Sequence, residues 1–314
     1  MGKYILSRLG QSLAVIFLVT VIVFTLMHIL PGDPISIYLG ETATPEQIEY
    51  YTQMFGLDQP LHVQYLRWIG GLLKGEMGRS ITYSIDVKAL LAKRVVCTLS
   101  VTLPAFFLSI CIGVTLGVIS ATNRGKKLDS IITSCANVGI AIPSFWVGII
   151  LVYFFALTLK VLPVQGYTSF MENPIEYLRK LVMPVIVLSL GQIASLTRQT
   201  RSAMLEVVSQ DYIRTARSKG ITEKRVIYRH ALRNALIPIV TLLGNSIGML
   251  IGGTVIIENL FVIPGVGSLM MTSIINKDYM VVQNVTFIIA LAVVLCNLFV
   301  DILYGYIDPR IRID

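Results

Sequence analysis

Six stretches free of Asp, Glu, Lys and Arg divide this chain, and each is long enough, or nearly so, to cross a bilayer. They are Leu9–Leu30, Cys97–Ser120, Ile131–Leu159, Leu181–Thr197, Asn234–Ile257 and Met280–Val300. At a rise of 1.5 Å per helical residue, about 20 apolar residues cover the hydrocarbon layer. Charged residues make up 14% of the 314 residues and hydrophobic ones 54%, more apolar surface than a water-soluble domain of this length needs. The pattern predicts an all-α polytopic membrane protein with six transmembrane helices. The fourth stretch has only 17 uncharged residues, and Arg179 and Lys180 extend it to 179–197 by snorkelling. The first runs over 9–30 with no small-x-small cleavage site, so it is expected to stay attached as an anchor. Pro143, Pro184 and Pro238 each free a backbone carbonyl in or near a span, which a packed bundle accommodates.

Basic residues orient the spans. Lys3 and Arg8 precede the first, Arg124, Lys126 and Lys127 follow the second, and nine basic against three acidic residues lie between Arg198 and Arg233. By the positive-inside rule these three regions share the cytoplasmic side, which puts both termini there (N-in, C-in). The net charge of +8 is thereby explained without a nucleic-acid partner. The expected order is a cytoplasmic N-terminus over 1–8, spans over 9–30, 97–120, 131–159, 179–197, 234–257 and 280–303, and a cytoplasmic tail over 304–314. External segments cover 31–96 and 258–279.

The external segment 31–96 carries helix signals. Thr44 is placed as an N-cap, Pro45 at the first helical position and Gln47 as the reciprocal partner. Leu61, Tyr65, Trp68, Ile69, Leu72 and Leu73 recur near helical spacing, as in a helix lying on a membrane or against a bundle. In the second segment Pro264-Gly-Val-Gly267 interrupts regular structure, while Leu260–Ile263 before it are too apolar for a solvated loop. Pro264, Gly265, Gly267 and Asp278 are therefore candidates for a partly re-entrant external gate.

The polar segment 198–233 has starts and stops of its own. Asp211 can accept backbone hydrogen bonds at a helix start, Gly220 can take the left-handed conformation that ends one, and Thr222 can cap the next. Tyr212, Ala216 and Lys219 can share one face, and Val226, Ile227 and Ala231 give the second helix apolar contacts. Two short amphipathic helices joined by a glycine suit docking into a partner's groove.

No phosphate-binding loop, metal cluster or nucleophile–base pair is present, and His28, His62 and His230 lack ligand spacing. Cys97, Cys111, Cys135 and Cys296 lie in or beside apolar stretches and read as small hydrophobes. The chain is read as neither an enzyme nor a metal or cofactor binder. Ion-coupled carriers usually place charged groups or unwound binding segments inside their spans. With no charged residue in the span interiors, the energy for transport is expected from outside the chain. Asn137, Ser144, Gln192, Asn245 and Ser246 are candidate walls of a translocation path, each equally able to hydrogen-bond a neighbouring helix.

The chain start from Met1 to Asp33 with its Leu30-Pro-Gly-Asp-Pro34 turn is followed in order by Gly56-Leu-Asp-Gln-Pro60, Asp211-Tyr-Ile-Arg-Thr-Ala-Arg-Ser-Lys-Gly220, Arg229-His-Ala-Leu-Arg-Asn-Ala-Leu-Ile-Pro238, Pro264-Gly-Val-Gly267, Asp278-Tyr279, Asp301-Ile-Leu-Tyr304 and Asp308-Pro309. Together and in this order these motifs resemble the inner-membrane permease subunits of bacterial ABC importers, in the dipeptide, oligopeptide, glutathione and nickel branch. The resemblance implies a type I ABC importer permease fold in a bacterial inner membrane, paired with a second, homologous permease. It also implies two ATPase subunits carrying ATP and Mg, an extracytoplasmic substrate-binding protein, and membrane lipid as surroundings. The wider superfamily has a Glu-Ala-Ala…Gly coupling motif; aligned on Gly220, its first positions here are Arg214, Thr215 and Ala216, so only the second alanine is kept. The general spacing would put a proline near Arg233, whereas this chain has Pro238. Asp211, Thr215, Ala216, Arg217, Lys219 and Gly220 are the expected ATPase-coupling residues. A di- or oligopeptide cargo fits the branch, with glutathione and chelated nickel as alternatives. An ATP-independent facilitator or channel is one competing class, and no filter-like segment supports it; a non-transporting membrane scaffold or polytopic enzyme is another, and the catalytic polar residues it predicts near a membrane face are not found.

Overall fold

The computed structural model describes residues 2–29, 34–40 and 43–307, without the side chains of 2–6, 34, 241, 245, 247, 249, 251 and 301–307. The Leu30–Asp33 part of the expected turn, Asp308-Pro309, and the side chains of Asn245 and Asp301–Tyr304 lie outside the described residues. The described elements are helical, apart from one antiparallel bridge between Arg79 and Asp86.

In chain order they are α1 (Gly2–Ile29), α2 (Pro34–Leu39), α3 (Pro45–Phe55), α4 (Leu61–Lys74), α5 (Val87–Thr122), α6 (Lys127–Ala141) and α7 (Ser144–Leu151), which runs into a π-helical turn over Val152–Thr158. Then come α8 (Pro174–Val208), α9 (Asp211–Ser218), α10 (Glu223–Arg225), a second π-helical turn over Val226–Ala231, α11 (Leu232–Leu260), α12 (Val266–Ile275) and α13 (Tyr279–Ile307).

Among the described residues, four helical segments are long and apolar enough to cross a membrane: Ser7–Ile29, Val87–Thr122, Pro174–Val208 and Tyr279–Val300. The pair Lys127–Ala141 and Ser144–Thr158 makes a fifth if counted as one span, bent by 100°. The count of six needs α11 as well, a helix of 29 residues with several side chains outside the described set. The bend falls at Ile142–Pro143, where proline has no N–H to continue the ladder and its ring pushes the preceding residue towards extended backbone (Ile142 φ −80°, ψ 127°). Pro104, Pro184 and Pro238 lie inside continuous helices. Helix α5 begins ten residues before the uncharged stretch, because Val87, Leu90 and Leu91 are buried while Lys88 and Lys93 are exposed.

The chain forms two compact units, one of 1–6, 99–263 and 295–314, the other of 7–98 and 264–294. In the first, α5 and α8 meet along a glycine seam. A Cβ on Gly113 would stand 2.7 Å from Cβ of Leu196, and one on Gly117 would stand 2.5 Å from Cβ of Thr200 and 2.8 Å from the Thr197 carbonyl oxygen. Small residues that let backbones approach are how membrane helices gain packing energy where lipid offers no hydrophobic drive.

A buried ion pair locks the end of that seam. Asp129 of α6, 5% exposed, takes a bidentate contact from Arg201 of α8, with Nε to Oδ1 at 2.7 Å and Nη2 to Oδ2 at 2.9 Å. The Ser120 hydroxyl of α5 donates to the same carboxylate at 2.6 Å, and the Gly125 amide at 3.0 Å. Three helices and the turn at 123–126 are thus tied to one side chain.

In the second unit, Val87, Leu90, Leu91, Val266, Leu269, Val281 and Val285 form an apolar cluster. Asp278 is fully buried beside it. It caps α13 through the Val281 amide at 3.3 Å and holds the loop before α5 through the Ser80 hydroxyl and the Thr82 amide, the latter at 3.0 Å. The Asn284 amide donates to the Met77 carbonyl at 2.8 Å and ties the same loop one turn further along.

Candidate functional site: a polar cleft and an exposed helix

Two features of the first unit carry the candidate residues. One is a cleft of ≈ 510 Å³ among α7, α8 and α11. Its walls combine Val187, Leu188, Leu242 and Leu250 with polar groups from three helices. Ser144 stands at the start of α7, Gln192 on α8 and Ser246 on α11, so three of the five expected path residues line one cavity. Asn137 is exposed on α6 and does not line it. The Ser246 hydroxyl donates to the Leu242 carbonyl at 2.7 Å, leaving its lone pairs for the cleft.

Helix α8 contributes more than expected. Ser195, Arg198 and Gln199 also line the cleft, and Gln192, Ser195 and Gln199 follow i, i+3, i+7 spacing along one face. That spacing was the available signal; reading Arg198 as a loop boundary hid it. Neither Gln192 nor Gln199 has a hydrogen-bond partner among the described residues, so both amides stay open to the cleft. Such a wall offers donors and acceptors on an apolar frame and no reacting pair. Among the described residues no group of three or more His, Cys, Asp or Glu could hold a metal ion.

The other feature is α9 and its platform. Ile213 and Ala216, 0% and 7% exposed, are its inward face. They pack in a cluster with Val118 and Ala121 of α5, Met204 of α8, Val226 and Ala231 of the second π-helical turn, and Ala235 of α11. Burying an isoleucine of this kind contributes roughly 1.5–3 kcal/mol. Ala216, Val226 and Ala231 are therefore used inside the chain, and Tyr212 points outward, its hydroxyl accepting a 2.7 Å hydrogen bond from the Asn234 amide. Asp211, Thr215, Arg217, Lys219 and Gly220 are exposed. Gln210, not Asp211, is the N-cap residue, and Thr222 occupies its own N-cap position without a side-chain bond. Gly220 has φ +74° with open space around it, so the backbone conformation rather than crowding calls for glycine.

Arg217 reaches across the turn to Glu223, with Nη2 to Oε1 at 2.6 Å and Nε to Oε2 at 3.0 Å. The Arg217 hydrogen bonds hold the Glu223 carboxyl below its ordinary range, and the same bonds raise Arg217. The pair braces α9 against α10.

Of the expected gate residues, Pro264 is exposed, Gly265 and Gly267 are buried, and Asp278 is the buried cap described above. The break is shorter than the motif suggests. Gly265 is the N-cap of α12 and Gly267 already lies inside that helix, whose Val266 amide donates to the Thr98 hydroxyl at 2.8 Å.

Comparison with known proteins fits this arrangement. Residues 113–313 match the family described as binding-protein-dependent transport system inner membrane component, and residues 1–102 match its N-terminal companion. A protein of Brucella abortus named as a peptide transport system permease is 42% identical over 314 residues, covering all of both chains. The oligopeptide transport system permease protein AppB of Bacillus subtilis is 38% identical and covers 99% of this chain and all of its own. A solved inward-facing structure of the MetNI methionine ABC transporter has a chain that superposes with TM-score 0.59 at 20% identity, covering 70% of this chain and 96% of that one. That likeness gives the fold, an all-α type I ABC-importer permease. The chain belongs to the binding-protein-dependent transport system inner membrane component family and is a non-catalytic, multi-pass permease subunit of the inner membrane.

Proposed function

We propose that this chain and a second, homologous permease enclose the path by which an ATP-driven importer takes up di- or oligopeptides. The observation that carries the cargo class is the full-length match to permeases named for peptide and oligopeptide transport. The amide-lined cleft supports it, since Gln192 and Gln199 offer to a peptide backbone the groups it offers itself. On this reading α11 is the sixth span, with the N- and C-termini and 198–233 on the cytoplasmic side. Asp211, Thr215, Arg217, Lys219 and Gly220 face an ATPase subunit, and Ala216 anchors α9 from behind. Closure of two ATPases around ATP and Mg pushes α9, and the platform beneath it passes the push to α5, α8 and α11. A substrate-binding protein delivers cargo on the other side, where Pro264–Gly267 and Asp278 shape the mouth.

The test is co-expression with neighbouring genes, subunit stoichiometry by native mass spectrometry, and ATP hydrolysis in nanodiscs with a peptide-loaded binding protein. One second permease and two ATPases per chain are expected, with hydrolysis stimulated by peptide-loaded binding protein. Thr215→Trp, on the exposed side of α9, should abolish the stimulation while the bundle stays folded. A homo-oligomer conducting solute without nucleotide would sink the proposal, and stimulation by glutathione or nickel chelates alone would reassign the cargo.

A further inference from the structure

The segment Gly56–Pro60 takes no part in the cleft or in α9. Its Gly56 and Leu57 form one wall of a second cavity, ≈ 200 Å³, which lies wholly within the 7–98 and 264–294 unit, among α1, α4 and the start of α13. Gly56 ends α3 with φ +68°, and a Cβ there would run into the Arg67 guanidinium, so the arginine lies over the bare glycine. The Gln64 amide nitrogen donates to the Leu57 and Gln59 carbonyls at 3.3 and 2.7 Å, while its carbonyl oxygen meets Nε2 of His28 at 3.2 Å. The other ring nitrogen of His28 lies 2.8 Å from the Phe24 carbonyl oxygen. The wall is therefore pinned from both sides.

The helices facing that wall present polar groups without protein partners. Gln283 lines the cavity, is 3% exposed, and makes no hydrogen bond to any described residue. The indole N–H of Trp68, 5% exposed, is also without a partner. The unpaired, buried indole N–H is costly, and the Gln283 amide, open to the cavity, is free to bond what enters it. Arg67 and Glu76 line the same cavity, are exposed, and have no ion-pair partner among the described residues. Phe24 and Trp68 stack at 6.4 Å between ring centroids and supply an apolar side. A positive group, a negative group and an open amide on an aromatic frame complement a short zwitterion containing an amide.

Building on the peptide-importer reading above, we infer that this cavity binds the unblocked ends and peptide bond of a short peptide, as a site separate from the cleft. Arg67 takes the carboxylate, Glu76 the ammonium and Gln283 the peptide group. The volume suits a dipeptide rather than a long chain.

The test is equilibrium dialysis of radiolabelled Ala-Ala against the complete transporter in nanodiscs, without its binding protein. A saturable component should appear that Gln192→Leu in the cleft leaves intact. Gln283→Leu and, independently, exposed Arg67→Gln should each weaken it at least about tenfold, the weight of one charge-assisted or buried hydrogen bond. N-acetyl-Ala-Ala-amide should not compete. Saturable binding untouched by both variants overturns the inference, as does its absence up to about 10 mM ligand. If hydrolysis still responds to peptide-loaded binding protein in that case, the importer reading stands and the cavity holds only water. Loss of that response in the unaltered complex would instead remove the importer reading.

Discussion

The tie among Asp129, Arg201, Ser120 and Gly125 predicts strongly non-additive mutational costs. Side-chain exposure is 7% for Asp129 and 27% for Arg201. Arg201→Met leaves a buried carboxylate with only the neutral donors of Ser120, Gly125 and a distant Thr133, the last at 3.4 Å. Stranding a buried charge costs about 3–5 kcal/mol, and the depth of Asp129 puts the expectation near 4. Asp129→Ala strands a guanidinium that already reaches solvent and a Ser120 hydroxyl that does not, for about 3 kcal/mol. In the double variant neither charge is left uncompensated, so it should cost about 2–3 kcal/mol less than the sum of the singles. Equilibrium unfolding of the purified chain in mixed micelles, titrated with SDS, gives all three differences. Additivity within about 0.5 kcal/mol would refute the coupling, and a milder Arg201→Met than Asp129→Ala would refute the burial argument.

Other perturbations test separate parts of the structure. Gly117→Ala should lower the unfolding midpoint by the equivalent of about 1–3 kcal/mol, because the Thr197 carbonyl cannot retreat from the new methyl. Gly148→Ala, which meets only the mobile end of Leu260, should cost less, and the reverse ranking would mean the seam is not close-packed. Val262, a β-branched residue, sits 55% exposed at φ +52°, so Val262→Asn should raise the midpoint by about 1 kcal/mol; a fall would show that the left-handed conformation is not occupied. Glu223 has a lowered folded value, so its pairing contributes fully above the ordinary 4.5 and is lost as pH falls through that lower value. With both partners exposed the effect is only about 0.5 kcal/mol. It should appear as faster amide exchange over 213–221 in acid relative to the intrinsic rate, and Glu223→Gln should reproduce it at neutral pH.

Local chemistry was legible where the deciding residues are close in sequence. Thr44, Pro45 and Gln47 form the capping box their order implies, and Gly220 takes the left-handed turn that ends the α9 segment. Apolar runs located the long helices. Their joints were less visible: nothing in Ile142–Pro143 states an angle of 100°, and a π-helical turn differs from an α-helical one by a single surplus residue. Treating charge as a boundary concealed a buried ion pair, since Asp129 and Arg201 stand 72 positions apart, each just beyond an uncharged stretch. The platform beneath α9 was half legible. The spacing marks Val226 and Ala231 as apolar contacts, but only packing shows that they serve the chain itself, with Asp211, Thr215, Arg217 and Lys219 left exposed.

Gly113 and Gly117 are four positions apart on α5, as Leu196 and Thr200 are on α8, a repeat of about 6 Å along each axis. Two rods notched at one pitch engage like teeth. Sliding by a fraction of the pitch lifts Leu196 and Thr200 out of their notches onto positions that carry side chains, and the rods must part before they can travel. During any stroke α5 and α8 therefore act as one spar, and a force arriving at either is felt by the other without lag. Deformation falls to the unnotched joints, the corner at Pro143 and the loosely wound turns at 152–158 and 226–231.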